Sequence, residues 1–310
     1  MKILHKIAFL FAAFMTVAFV SATPAGAQTR TWVSGTGSDA NPCSRTAPCQ
    51  TFSGAFSKTA AGGQITCLDP SGFGTLTINK SITIDCTGTQ GSILASGTTG
   101  ITINAAGINV VLRNIQIDSA NNTIGNGIRI LAARNVIIDN VTIENFAGTG
   151  TNGRGITIET TAAGVGVQVT NSRILNVTNF GIHSAPTAGN VVLHVRNTDI
   201  LRSGNSAIFL FNATAASISE CLLANNAAAG VALQNATTTA QIANCDISFN
   251  AFGIANGLGG ASVARLYGNS ITGNGIGVRI DAGSVFTYGN NGIRGNSGNE
   301  TPTQPSTGTQ

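Results

Sequence analysis

Val191-Val192-Leu193-His194-Val195-Arg196-Asn197-Thr198-Asp199-Ile200 is the stretch that decides the fold of this chain. Val191, Leu193 and Val195 lie on one side of a period-two alternation, as in a strand with one buried face. The same parity carries to Asn197 and places it inward, at a corner. Asn tolerates left-handed backbone angles, and its amide can bond neighbouring backbone groups. It is therefore expected to satisfy polar groups that a sharp bend would otherwise bury unpaired.

The pattern recurs eight times, with anchors at Asn114, Asn140, Asn171, Asn197, Glu220, Asn244, Gly268 and Asn290, separated by 26, 31, 26, 23, 24, 24 and 22 residues. Self-similarity at this period indicates a solenoid, in which each repeat buries its apolar face by stacking on its neighbours. A second short strand follows each anchor, as in Ile115-Gln116-Ile117 and Val141-Thr142-Ile143. After a polar Gly/Asn-rich loop comes a third, of the form Gly-Ile-x-Ile, as at 127–130, 155–158 and 277–280. Three short strands per turn, each pairing with its copy on the next turn, predict three parallel sheets around one apolar core. The repeated anchors predict an internal Asn ladder.

The start of the repeat region carries Trp32-Val33-Ser34-Gly35-Thr36-Gly37-Ser38-Asp39, then Pro48-Cys49-Gln50-Thr51-Phe52, then Ala55-Phe56. Thr51 is expected to N-cap a helix whose Phe52, Ala55, Phe56 and Ala60 share one face and cover the open end of the core. With these motifs the chain resembles the right-handed, pectin-lyase-like β-helix proteins over nearly all of its length after the leader. The resemblance implies an all-β, right-handed parallel β-helix of about nine to ten turns with a short N-terminal capping α-helix. It also implies a polysaccharide as partner. The expected division is a signal peptide at 1–27, a cap at 28–64, the β-helix at 65–294 and a polar, disordered tail at 295–310.

Lys2 and Lys6, the apolar run 7–20 and Ala25-Gly26-Ala27 read as an export signal with its cleavage site, too short for a spanning helix. The protein is thus expected outside the cytoplasm, periplasmic or extracellular, with no membrane span after cleavage. Removing the two lysines takes the formal charge from +4 to +2. Charged residues make up only 9% of the chain, and no basic run is interleaved with aromatics, which argues against nucleic acid as a partner.

Six cysteines follow the leader, in a compartment where disulfides persist. Cys43 and Cys49 bracket a short Pro-containing loop, and Cys67 and Cys86 sit in matching contexts on adjacent turns. Both pairs are expected to be bonded. Cys221 and Cys245 also lie one turn apart, at a spacing that permits a disulfide or two stacked buried thiols.

On the Gly-Ile-x-Ile sheet the outward column reads Arg129, Thr157, His183, Phe209, Ala232, Ala255, Arg279, with Glu159 just beyond Thr157. Arg129, Glu159 and His183 form a candidate catalytic group for an anionic sugar, one of them acting as base. Phe209 and Arg279 are candidate substrate contacts. On the second sheet Asp118 and Glu144 occupy equivalent outward positions on successive turns. They suit either a retaining-glycosidase pair or two oxygen ligands for Ca²⁺. No cofactor is otherwise implied.

The resemblance does not extend to a particular enzyme family. Asn197-Thr198-Asp199 is similar to the N-T-D element of polygalacturonases, yet no Asp-Asp pair or Gly-His-Gly follows it. Two classes of function remain open: a polysaccharide-binding β-helix, favoured by the missing signatures, and a polysaccharide lyase or glycoside hydrolase acting on an acidic glycan.

Overall fold

The computed structural model describes residues 27–298. Residues 1–26 of the expected signal peptide and 299–310 of the tail lie outside the described residues. The chain is an all-β solenoid of about nine turns with one short helix. All strand pairings are parallel, each strand bonding to its copy one turn on, as in Val191–Arg196 against Thr214–Ser219.

Two main sheets are seen where three were expected. The Gly-Ile-x-Ile strands form one, nine strands deep, from Leu76–Ile78 to Ile276–Ile280. The two strands flanking each anchor belong to a single sheet of nineteen strands. The reason is visible in Asn109–Asp118 and Asn135–Glu144, which run through Asn114 and Asn140 and keep the same register on either side of them. The bend at the anchor redirects the strand but does not break the sheet.

Stacked apolar columns fill the interior. Ile84, Leu112, Ile138, Val169, Val195, Ile218, Ile242 and Leu266 lie in register on the large sheet, each at most 1% exposed. Ile128, Ile156, Ile182, Ile208, Val231, Ile254 and Val278 face them from the nine-stranded sheet. Burying each such side chain stabilises the fold by roughly 2 kcal/mol before conformational entropy is charged against it. Gly155 shows how close the turns approach. A Cβ there would come within 2.5 Å of the Gly181 carbonyl oxygen and of Ile174 Cγ2.

The anchors adopt left-handed angles as expected, with φ of +56° at Asn114, +47° at Asn197 and +55° at Glu220. Their side chains, however, face outward. Asn197 is exposed, and its Nδ2 donates to Asn171 Oδ1 at 2.8 Å in a ladder on the surface. A left-handed residue breaks strict alternation, so Arg196 and Asn197 both point out and Thr198 becomes the buried one. Extending strand parity through the corner caused the error.

Internal Asn stacking occurs instead one residue after a left-handed position: at the next corner, six residues past the anchor, and in the last turns at the anchor corner itself, where buried Asn269 donates to Asn291 Oδ1 at 2.9 Å. Asn226, Asn250 and Asn274 are at most 4% exposed and stack in sequence, continuing to Asn296. Each Oδ1 accepts from the backbone N–H and Nδ2 of the preceding rung, and each Nδ2 also reaches a core-strand carbonyl, as Asn250 does to Leu223 at 2.9 Å. Ser297 and Gly298 still bond to the turn before them, so the stacking extends into the segment expected to be tail.

Helix α1 (Phe52–Lys58) caps the first turns. Thr51 accepts from Gly54 N–H at 2.9 Å, and Asp39 accepts from the Gln50 and Thr51 amides, which ties the opening motif together. Phe52 and Ala55 are fully buried, with the Phe52 ring 5.0 Å from Phe73. Ala60 falls outside the helix, in strand Thr59–Cys67. Cys43–Cys49 and Cys67–Cys86 are disulfides, while Cys221 and Cys245 are buried thiols. A shared hydrogen bond with Cys245, reinforced by burial, pushes the Cys221 thiol up. No helix among the described residues is long and apolar enough to cross a membrane.

Candidate functional site

Strands Ile128–Ala132, Ile156–Ile158, Ile182–Ser184 and Ile208–Phe211 place Arg129, Thr157, His183 and Phe209 in one column across successive turns. The column alternates with buried Ile residues, which is why period-two reasoning could find it. Arg129, Glu159 and His183 do come together, but through a residue that reasoning missed. Arg154, only 7% exposed, sits between them. Its Nη1 lies 2.7 Å from Glu159 Oε1, 3.2 Å from Thr157 Oγ1 and 3.2 Å from His183 Nδ1. Its Nη2 donates to the Gly150 carbonyl at 3.3 Å.

Glu159 is held from the other side as well, with Arg129 Nη2 and Nε at 2.9 and 3.0 Å from Oε2. Burial alone would raise this carboxyl, but the hydrogen bonds and charges of Arg129 and Arg154 outweigh it and hold it below the usual range. Glu159 is therefore a poor proton acceptor. His183 is 8% exposed; burial, reinforced by the Arg154 charge, lowers it to about 4. It is neutral at pH 7. A guanidinium only donates, so Nδ1 must offer its lone pair to Arg154 and the ring proton sits on Nε2. His183 accordingly presents a hydrogen-bond donor at Nε2.

An aromatic strip adjoins this cluster. The Phe180 ring stacks on His183 at 4.9 Å and meets Phe209 at 4.7 Å, with the Arg154 guanidinium 5.9 Å from its centroid. Phe211 continues the row 6.3 Å from Phe209. Ala229, Ala232 and Ala255 lie beyond it, covered by Phe209 and Phe252. Phe209 thus joins the cluster. Arg279 is three strands further along, bonded to Asp281 at 2.8 Å and over the Phe252 ring at 4.9 Å. It marks the far end of the same face.

Arg154 and Phe180 lie in loops and carry no periodicity of their own. One signal was available: both immediately precede the Gly of a Gly-Ile-x-Ile strand, in the row Asn126, Arg154, Phe180, Ser206. Asp118 and Glu144 stand in register on the large sheet as expected. Asp118 accepts from Asn145 Nδ2 and Ala120 N–H, and Glu144 from Gln116 Nε2. Among the described residues no third His, Cys, Asp or Glu joins them to make a metal-ligating group.

Comparison with known proteins agrees with this architecture. A family model described as a right-handed beta helix region matches residues 187–301. The structure is similar to pectate lyase Pel9A, with a TM-score of 0.53 and 14% identity over 83% of this chain and 67% of that one. It is similar to the GH136 lacto-N-biosidase from Eubacterium ramulus, with a TM-score of 0.52 and 12% identity over 89% and 67%. No curated protein matches by sequence. At these identities the likeness is one of fold, that of a right-handed β-helix.

Proposed function

We propose that this protein is exported and binds an acidic polysaccharide along the outer face of the nine-stranded sheet. The observation that carries this reading is Arg154, a guanidinium 7% exposed and set among Glu159, His183 and Phe180. Two arginines against one carboxylate and a neutral imidazole leave the cluster with a net positive charge, which suits a carboxylate or sulfate on a sugar. The adjoining Phe180, Phe209 and Phe211 rings supply flat apolar surface for the sugar ring, and His183 Nε2–H supplies a donor. Arg154 Nε is buried and has no hydrogen-bond partner among the described residues. Two disulfides support an oxidising compartment.

Binding is favoured over acid–base catalysis because both candidate bases are engaged, Glu159 by two guanidiniums and His183 Nδ1 by Arg154. The test is to titrate acidic and neutral polysaccharides by calorimetry, and to follow 235-nm absorbance and reducing ends with and without Ca²⁺. Binding of the acidic chains, weakened about tenfold or more in Arg129→Gln and Phe209→Ala, with no product released, is the expected result. Product formation that disappears in Glu159→Gln or Glu144→Gln would replace this reading with that of a lyase or hydrolase.

A further inference from the structure

A second anionic-sugar site is built at the N-terminal end of the large sheet, away from the Arg154 cluster. The first strand, Gln28–Val33, puts Arg30 and Trp32 outward while Thr31 and Val33 are buried. Trp32 stands in register with Thr66 of the next strand. Together with Arg45, Thr87 and Thr89 they line a groove of about 320 Å³. The Arg30 guanidinium carbon lies 5.6 Å from the Trp32 ring centroid, and its Nε donates to Thr66 Oγ1 at 3.1 Å.

Two features separate this groove from an ordinary polar surface. The first is charge: neither Arg30 nor Arg45 has an ion-pair partner among the described residues. Asp85, next in register to Thr66, is already bonded to Thr87 N–H at 2.9 Å and lies 3.8 Å from Arg113. The second is rigidity. Arg45 rides on the loop closed by Cys43–Cys49, and that loop is laced to Trp32 by backbone bonds from Trp32 N–H to Cys43 and from Cys49 N–H to Trp32, at 2.9 and 3.0 Å. Cys67–Cys86 joins the residues adjacent to Thr66 and Thr87. Both disulfides of the described chain thus converge on one groove. Thr89 Oγ1, buried at its edge, has no hydrogen-bond partner among the described residues.

The geometry points to a binding site for a single acidic pyranose, its ring stacked on Trp32 and its carboxylate or sulfate between Arg30 and Arg45. Paired guanidiniums beside an indole match that ligand: the charges hold the anion and the ring covers the sugar's apolar face. Disulfide-fixed walls reduce the ordering cost of binding.

Trp32 is the sole tryptophan of the chain, so its fluorescence reports on this groove alone. The full mature protein is titrated with oligogalacturonate, a sulfated oligosaccharide, a neutral oligosaccharide of equal length and inorganic sulfate. The expected result is a saturable change in Trp32 emission with one or both acidic sugars and none with the neutral one. Arg30→Gln/Arg45→Gln should weaken it at least tenfold, and Arg129→Gln should leave it unchanged. The proposal is overturned if no acidic sugar alters the emission, if the double variant responds like the parent, or if inorganic sulfate at equal concentration reproduces the whole response. Because the Arg129 variant tests only the other site, failure of either site is read separately.

Discussion

Arg154 couples the protonation of its neighbours, so its removal has a direction that can be read at His183. The guanidinium charge is one of the two causes that lower His183 to about 4. Arg154→Met removes that charge and the donor at Nδ1, and the His183 midpoint should rise towards the ordinary 6.5. Imidazole NMR shifts across pH 3–8 measure this, and an unmoved midpoint would show that burial alone sets it. In the unsubstituted protein the folded His183 binds its proton less readily than the unfolded one. Its contribution to stability is therefore complete above pH 6.5 and is lost as pH falls to about 4. A shift of that size corresponds to roughly 3 kcal/mol, so denaturation midpoints should drop across this window and the drop should shrink in His183→Gln. The outward column of Arg129, His183 and Phe209 was legible in the sequence because it obeys a strand's alternation. Arg154 was not, since a loop residue's direction depends on how the turns stack.

At the scale of the element, the two corners of each repeat do different work. The anchor corner needs a residue that accepts a left-handed backbone: at Asn197, φ +47°, the side chain is exposed and its Nδ2 donates to Asn171 Oδ1 on the surface. The second corner needs the Asn side chain itself. Asn250 Oδ1 accepts from Asn226 N–H and Nδ2, while its own Nδ2 donates to Leu223 O and Asn274 Oδ1. Asn250→Ala should therefore cost about 3 kcal/mol, from buried groups left without partners. Asn197→Ala should cost about 1 kcal/mol, the penalty of a left-handed Ala, and Asn197→Gly almost nothing. Urea midpoints for the three variants decide it, and equal losses at the two corners would refute the distinction. The repeat, its period and its parallel pairing were readable because stacking forces apolar residues into register. The side on which the Asn points was not, because one left-handed residue shifts the phase of everything after it.

For the whole molecule, a solenoid's stability is close to a sum over turns and their nearest-neighbour interfaces, so damage should stay local. Both disulfides lie in the first turns: Cys43–Cys49 within the cap and Cys67–Cys86 between the strand after α1 and the turn that follows. The buried columns beyond them run on through Val285 without further covalent support. Opening Cys67–Cys86, which closes a span of 19 residues, should remove roughly 3 kcal/mol by freeing the unfolded chain. In Cys67→Ala/Cys86→Ala, hydrogen exchange should accelerate in Gln28–Val33, α1 and Thr59–Cys67, where the cap packs on the first strands. Exchange in the Asn250–Asn274 corners should stay at the parent rate, since those turns are held by their own ladder and columns. Uniform acceleration along the chain would instead mean that the molecule unfolds as one unit and that the cap governs all of it. The distinction bears on function, because the Arg154 cluster lies several turns from the cap. Local unfolding predicts that the variant loses the Trp32 response while acidic chains still bind at Phe180 and Phe209.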